Sequence, residues 1–213
     1  MLYNGVPAGL QCALYSFANV IITSVVNSFG PDATTGISIA NQYDGILYYV
    51  STAPALATIP YIAQNIGAGN LKRVKRAILS SVFITVAFGA VLGAMSAIFS
   101  KELSSFVSSS PEIIAYSAQK MVIISSTYFI CGINESIGGA LNGMGKPIAP
   151  AMSTLVFMCI FRFIWVYFIF PYMPNNLTFL YAVWPVGWVL STIVLLFVLW
   201  HTMSKLRKKL ENY

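Results

Sequence analysis

Between Lys120 and Lys146 the only charged side chain is Glu135. With Tyr128, Cys131, Gly138 and Asn142 it forms a series of five residues spaced +3, +4, +3 and +4 along one helical face. Asn134 stands next to it in the chain. Counted back from Gly143, where two glycines and Pro147 end the pattern, the acid lies about 12 Å inside the segment. A carboxylate that deep in an apolar span costs about 3 kcal/mol to insert. A group kept at that cost exchanges a proton, holds Na⁺, or is locked in an ion pair. A second polar stripe lies near the start of the chain. Ser16, Asn19, Thr23 and Asn27 recur at +3, +4 and +4, with Gln11 and Tyr15 just before them. Such a stripe bonds a neighbouring helix or lines a wet cavity, because lipid offers its polar groups no partners. Asp44 and Arg162 are the other isolated charges, each about eight residues from the same end of its segment. Their matched depth makes Asp44–Arg162 the expected structural pair, with Glu135–Arg162 the second choice. Tyr43, Tyr48 and Tyr49 lie alongside Asp44, as cation–π partners for a cargo or as interfacial anchors.

These residues need long apolar elements to hold them. Of 213 residues, 57% are hydrophobic and 8% charged, where soluble domains average about 25% charged. Mean hydropathy is +0.75. The pattern predicts an all-α, polytopic membrane protein forming a single domain over 1–213, with helices near 6–29, 36–65, 77–100, 112–143, 148–170 and 177–201. A span needs about 20 apolar residues, so little chain remains for anything outside the bilayer. With six spans, one side collects nine of the 12 basic residues, including Lys72, Arg73, Lys75, Arg76, Lys146 and Lys205. The opposite loops hold only Lys101, and Lys120 falls a few turns inside the fourth helix. That asymmetry predicts both termini on the cytoplasmic side. The basic clusters face anionic lipid, not nucleic acid, for which the chain leaves too little soluble surface. Cys12, Cys131 and Cys159 are far apart and His201 is the lone histidine. No disulfide framework, metal site or cofactor is expected, and hydrolase, P-loop and dinucleotide motifs are absent, so the chain is not read as an enzyme. Met1 leads into an apolar span with no basic residue before it, which suggests the later part of something longer.

Three motifs, in order, carry a resemblance. They are Gly5-Val6-Pro7-Ala8-Gly9-Leu10-Gln11, then Gln64-Asn65-Ile66-Gly67-Ala68-Gly69-Asn70 with Arg73 and Lys75, then Gly139-Ala140-Leu141-Asn142-Gly143-Met144-Gly145-Lys146-Pro147. Together they resemble the multidrug and toxic compound extrusion (MATE) family, and the match is to the C-terminal six-helix lobe of a twelve-helix transporter. The resemblance implies an antiporter that exports drugs or organic cations in exchange for Na⁺ or H⁺. It also implies a pairing with a missing N-terminal lobe or a second copy, in the bacterial inner (plasma) membrane. Carboxylates that some members carry fall here at Tyr15 and Cys131, and a common Arg falls at Asn142. Glu135, one turn along, is therefore the expected coupling group. Gln11, Tyr15, Asn19, Tyr128, Cys131 and Asn134 are the expected cavity residues. The alternatives are a lipid or polysaccharide flippase of a related exporter family, and a truncated fragment that transports nothing.

Overall fold

The computed structural model describes residues 16–173 and 176–211. All regular structure among them is helical, as the apolar pattern requires. The elements are α1 (Ser16–Asn27), α2 (Pro31–Gly67), α3 (Leu71–Ile98), α4 (Ser100–Ser105), α5 (Pro111–Ser125) and α6 (Tyr128–Gly143). They continue with α7 (Ile148–Tyr172), α8 (Leu177–Tyr181) and α9 (Val183–Glu211). Among the described residues four helices are long and apolar enough to cross a membrane, five when α5 and α6 count as one bent span. Large apolar side chains point outward. Leu79, Phe83, Ile98 and Phe197 are each about two-thirds or more exposed, a surface suited to hydrocarbon.

Local chemistry moves several boundaries from their expected places. α2 starts at Pro31, not near residue 36, because proline suits the first helical turn and Asp32 complements the helix dipole there. Its internal prolines, Pro54 and Pro60, leave α2 unbroken, and the Pro54 carbonyl accepts from the Thr58 hydroxyl at 2.7 Å. α3 starts at Leu71, ahead of the four basic residues, because Asn70 caps it by accepting from the Arg73 amide at 3.1 Å. The expected fourth helix is two helices bent by 49°. No proline or glycine sits at the bend. Instead Ser126 and Thr127 turn their hydroxyls back onto the carbonyls of Ile123 and Ile124 at 2.9–3.2 Å, which competes with the helix ladder. α7 contains two π-helical stretches, Thr154–Ile160 and Trp165–Ile169, flanking the α turn that carries Arg162.

Two of the family-like motifs end helices in the same way. Gly69 and Gly145 have φ of +68° and +71°, and the amides of Asn70 and Lys146 reach back five residues to Asn65 and Leu141 at 2.9 Å. This is the Schellman arrangement, in which a left-handed glycine closes the last turn.

Packing of α6 fixes the interior. A Cβ on Gly139 or Gly143 would lie 2.9 Å from the Ala55 carbonyl oxygen or 2.7 Å from that of Ile59. Both contacts join residues 84 apart in number, so α2 and α6 run parallel with backbones nearly touching. α3 crosses the other side of α6 in the opposite direction: the Thr85 hydroxyl donates to the Gly132 carbonyl at 3.1 Å, and Ser81 donates to Ser136 at 3.2 Å.

Candidate functional site

The α2–α6 seam sets two polar levels. Carrying the offset of 84 back along both helices pairs Asp44 with Tyr128 and Ser51 with Glu135. At the first level the Tyr128 hydroxyl donates to the Asp44 carboxylate at 2.6 Å and to its carbonyl at 3.0 Å. Tyr128 is buried and packs edge-on against Trp188, with ring centroids 5.6 Å apart. Seven residues along α6, about 10 Å away, the Glu135 carboxylate accepts from the Tyr48 hydroxyl at 3.1 Å. Ser51, at the same height, is fully buried and its hydroxyl has no hydrogen-bond partner among the described residues.

Around Asp44 opens a cavity of about 160 Å³, lined by Asn19, Asn41, Lys120, Tyr181 and Trp184 among others. Lys120 is buried, donates to the Asn41 amide oxygen, and lies 5.4 Å from the centre of the Trp184 ring. Arg162, also buried, lies 4.9 Å from the same ring and donates to the Asn19 amide oxygen at 2.6 Å. α5, α7 and α9 thus bring two cations to one indole, an arrangement favoured by the ring's negative face.

The expected residues are distributed as follows. Gln11 and Tyr15 lie outside the described residues. Asn19 and Tyr128 are at the cavity level. Cys131 is buried in the apolar cluster between the two polar levels. The Asn134 amide is directed across to α9, donating to Ser191 at 2.6 Å and Thr192 at 3.3 Å. Ser191 in turn shares a 2.8 Å hydrogen bond with Ser153 of α7. Asp44 and Arg162, expected as a pair, have hydrogen bonds to Tyr128 and Asn19 respectively. Lys120, Tyr181 and Trp184 are the site residues that sequence reasoning missed. A lysine within an apolar helix was the available signal. No group of three or more His, Cys, Asp or Glu side chains comes together among the described residues.

The family model for MatE matches residues 7–168. The chain belongs to the MatE family. Among MatE-like relatives, the FAD transporter of Shewanella oneidensis is 28% identical over 149 residues, covering 70% of this chain and 33% of that protein. The probable multidrug resistance protein YpnP of Bacillus subtilis is 28% identical over 163 residues, covering 76% of this chain and 37% of its own. The bent form of the Vibrio cholerae MATE transporter VcmN superposes with a TM-score of 0.79 at 16% identity, over 97% of this chain and 46% of that one. At that identity the likeness is one of fold. The chain spans about a third of the length of the curated relatives it matches. It is a multi-pass membrane protein of a transporter family, not an enzyme, and its helices form a partial lobe of the MatE fold.

Proposed function

We propose that this chain is one lobe of a secondary antiporter that exports drugs or organic cations in exchange for Na⁺ or H⁺, with Glu135 as the coupling group. One observation carries the reading: a single carboxylate deep in an apolar helix, facing a tyrosine hydroxyl at 3.1 Å and level with the hydroxyl of Ser51, which has no hydrogen-bond partner among the described residues. Three oxygen-bearing groups, a carboxylate and two hydroxyls, give a proton an exchangeable seat, or give Na⁺ partial replacement of its water shell. The lobe works against a second six-helix lobe, on the same polypeptide or from another copy. It sits in the inner membrane with both ends of the chain on the basic, cytoplasmic side.

The test uses the transporter in vesicles with Na⁺ and pH gradients imposed separately, reading dye efflux. Efflux driven by one gradient and abolished by Glu135→Gln, with protein level unchanged, is the expected result. Undiminished coupled efflux in that variant removes Glu135 from the mechanism. Lys120, a second buried cation beside Arg162, favours the flippase alternative, since such exporters handle anionic head groups. Scrambling of labelled lipid by the same vesicles, without dye efflux, would establish that alternative.

A further inference from the structure

We propose that the cavity beside Asp44 is a seat for an alkylammonium group on the cargo, and that the Lys120 ammonium is the tethered occupant which the cargo must displace. This deepens the antiporter reading and rests on it: Glu135 handles the coupling ion, and this second level handles the amine of the cargo. The first argument is that a side chain of the protein itself displays the mode of binding. Lys120 of α5 lines the cavity and is buried, with its ammonium donating to the Asn41 amide oxygen and lying 5.4 Å from the centre of the Trp184 ring. An amide oxygen and an indole face would hold a free amine in the same way. Asp44 stands about one helical turn from Asn41 on α2 and lines the same cavity. Asp44 and Lys120 are the one acid and the one base among the lining residues, so the charges of the lining balance.

The second argument is exchange. Arg162 faces the same indole from α7 with contacts of its own, including the Asn19 amide oxygen. Replacing one ammonium by another leaves the charge at this level unchanged, whatever else Arg162 meets. Adding a cation beside Lys120 would instead bring like charges together away from water, which is costly. The two ammonium groups therefore exclude each other, and the flexible four-carbon stem of the lysine lets its head withdraw. The third argument is a spare acceptor. Tyr181 lines the cavity and is fully buried, and its hydroxyl has no hydrogen-bond partner among the described residues. An ammonium carries three donors, and Asn41, Asp44 and Tyr181 bring oxygens to the lining to receive them. A volume of about 160 Å³ is small beside drug pockets of about 300–1,000 Å³. It suits an amine head whose body extends towards the facing lobe.

The test is a matched dye pair bound to the intact transporter in detergent, followed by fluorescence polarisation. Dansylcadaverine carries a primary amine, and its N-acetyl derivative is neutral at that nitrogen. Lys120→Ala, which empties the seat, is expected to bind dansylcadaverine about tenfold tighter than the unaltered protein, a difference of about 1.4 kcal/mol. Lys120→Arg, which keeps a tethered cation, should bind it as weakly as the unaltered protein does. In an Asp44→Asn background Lys120→Ala should give no gain, whereas simple removal of a distant charge would give the same gain in both backgrounds. A merely structural role for Lys120 predicts weaker binding or none. Tyr181→Phe removes a hydroxyl with no recorded partner and leaves Lys120 in place, so it should weaken amine binding severalfold even if Lys120→Ala fails to fold. No gain in a folded Lys120→Ala, a gain shared by the acetylated dye or kept in the Asp44→Asn background, or unchanged binding in Tyr181→Phe overturns the proposal. Displacement of dansylcadaverine by n-butylammonium supports a soluble amine cargo. Displacement by Na⁺ at the same concentrations makes the site one for inorganic cations and overturns the alkylammonium assignment. Displacement by phosphatidylethanolamine alone, and not by phosphatidylcholine or n-butylammonium, makes it a lipid head-group site and overturns the cargo assignment. Ion-driven efflux of dansylcadaverine tests the antiporter reading separately, since the tighter binding of Lys120→Ala stands when efflux fails.

Discussion

Gly143→Ala adds one methyl group at the tightest point of the α2–α6 seam. Its carbon would meet the Ile59 carbonyl oxygen at 2.7 Å and the Ile62 Cβ at 2.9 Å, whereas comfortable carbon contacts begin at about 3.5 Å. The obstacle is helical backbone, which cannot rotate away as a side-chain tip can. α2 must therefore retreat by roughly half an ångström to an ångström, and the neighbouring contact at Gly139 loosens with it. Overpacking of this kind costs about 1–3 kcal/mol, which at this chain length lowers a melting midpoint by about 2–4 °C per kcal/mol. Gly45→Ala is the internal control. It lies in α2, the other helix of the seam, with nothing within 4 Å of the added carbon, so helix propensity alone should leave it neutral or up to about 1 kcal/mol more stable. Thermal unfolding in detergent, followed by helical circular dichroism, compares the two. If Gly143→Ala melts as late as Gly45→Ala, the close backbone approach is not what holds α2 to α6.

Two further substitutions probe the polar levels. Tyr48→Phe removes the hydroxyl that meets Glu135 at 3.1 Å; hydrogen bonds to charged groups are worth about 1.5–3 kcal/mol, so ion-coupled dye efflux should fall about tenfold or more, and unchanged efflux would show the hydroxyl to be idle. Asn134→Ala removes the bonds to Ser191 and Thr192 and should cost about 0.6 kcal/mol, the mean for interhelical bonds in membranes, in the same unfolding assay; a large loss of efflux with no change in stability would instead put Asn134 on the transport route.

Legibility in the sequence followed the physics of each signal. Long apolar runs between basic clusters mark out spans whatever their partners, so the helical membrane architecture was plain. Gly139 and Gly143 at a spacing of four announced a close helix contact, and the structure places α2 against them. The bend at Ser126–Thr127 was hidden because no proline or glycine marks it; Pro54 and Pro60 leave α2 continuous, while a run of three hydroxyls breaks the α5–α6 span. Site chemistry was legible only in part. Periodicity identified the face that holds Tyr128 and Glu135, but not which helix that face meets. The contact of Lys120 with Asn41 and the Trp184 ring depends on rotation about each helix axis, a quantity that depth along the chain does not contain. Trp184 looked like one more apolar residue in the last span, since nothing local distinguishes a lipid-facing indole from one between two cations.

The parallel seam has a mechanical corollary. Asp44 and Tyr48 ride on one helix, Tyr128 and Glu135 on its neighbour, and the two are joined where glycine lets main chain rest on main chain. Such a joint resists shear, so the two carboxylates travel as fixed stations on a common beam. Any stroke that exposes one side of the membrane and then the other must bend around this beam, at the hydroxyl-softened corner of α5 and α6 or along the π-wound length of α7.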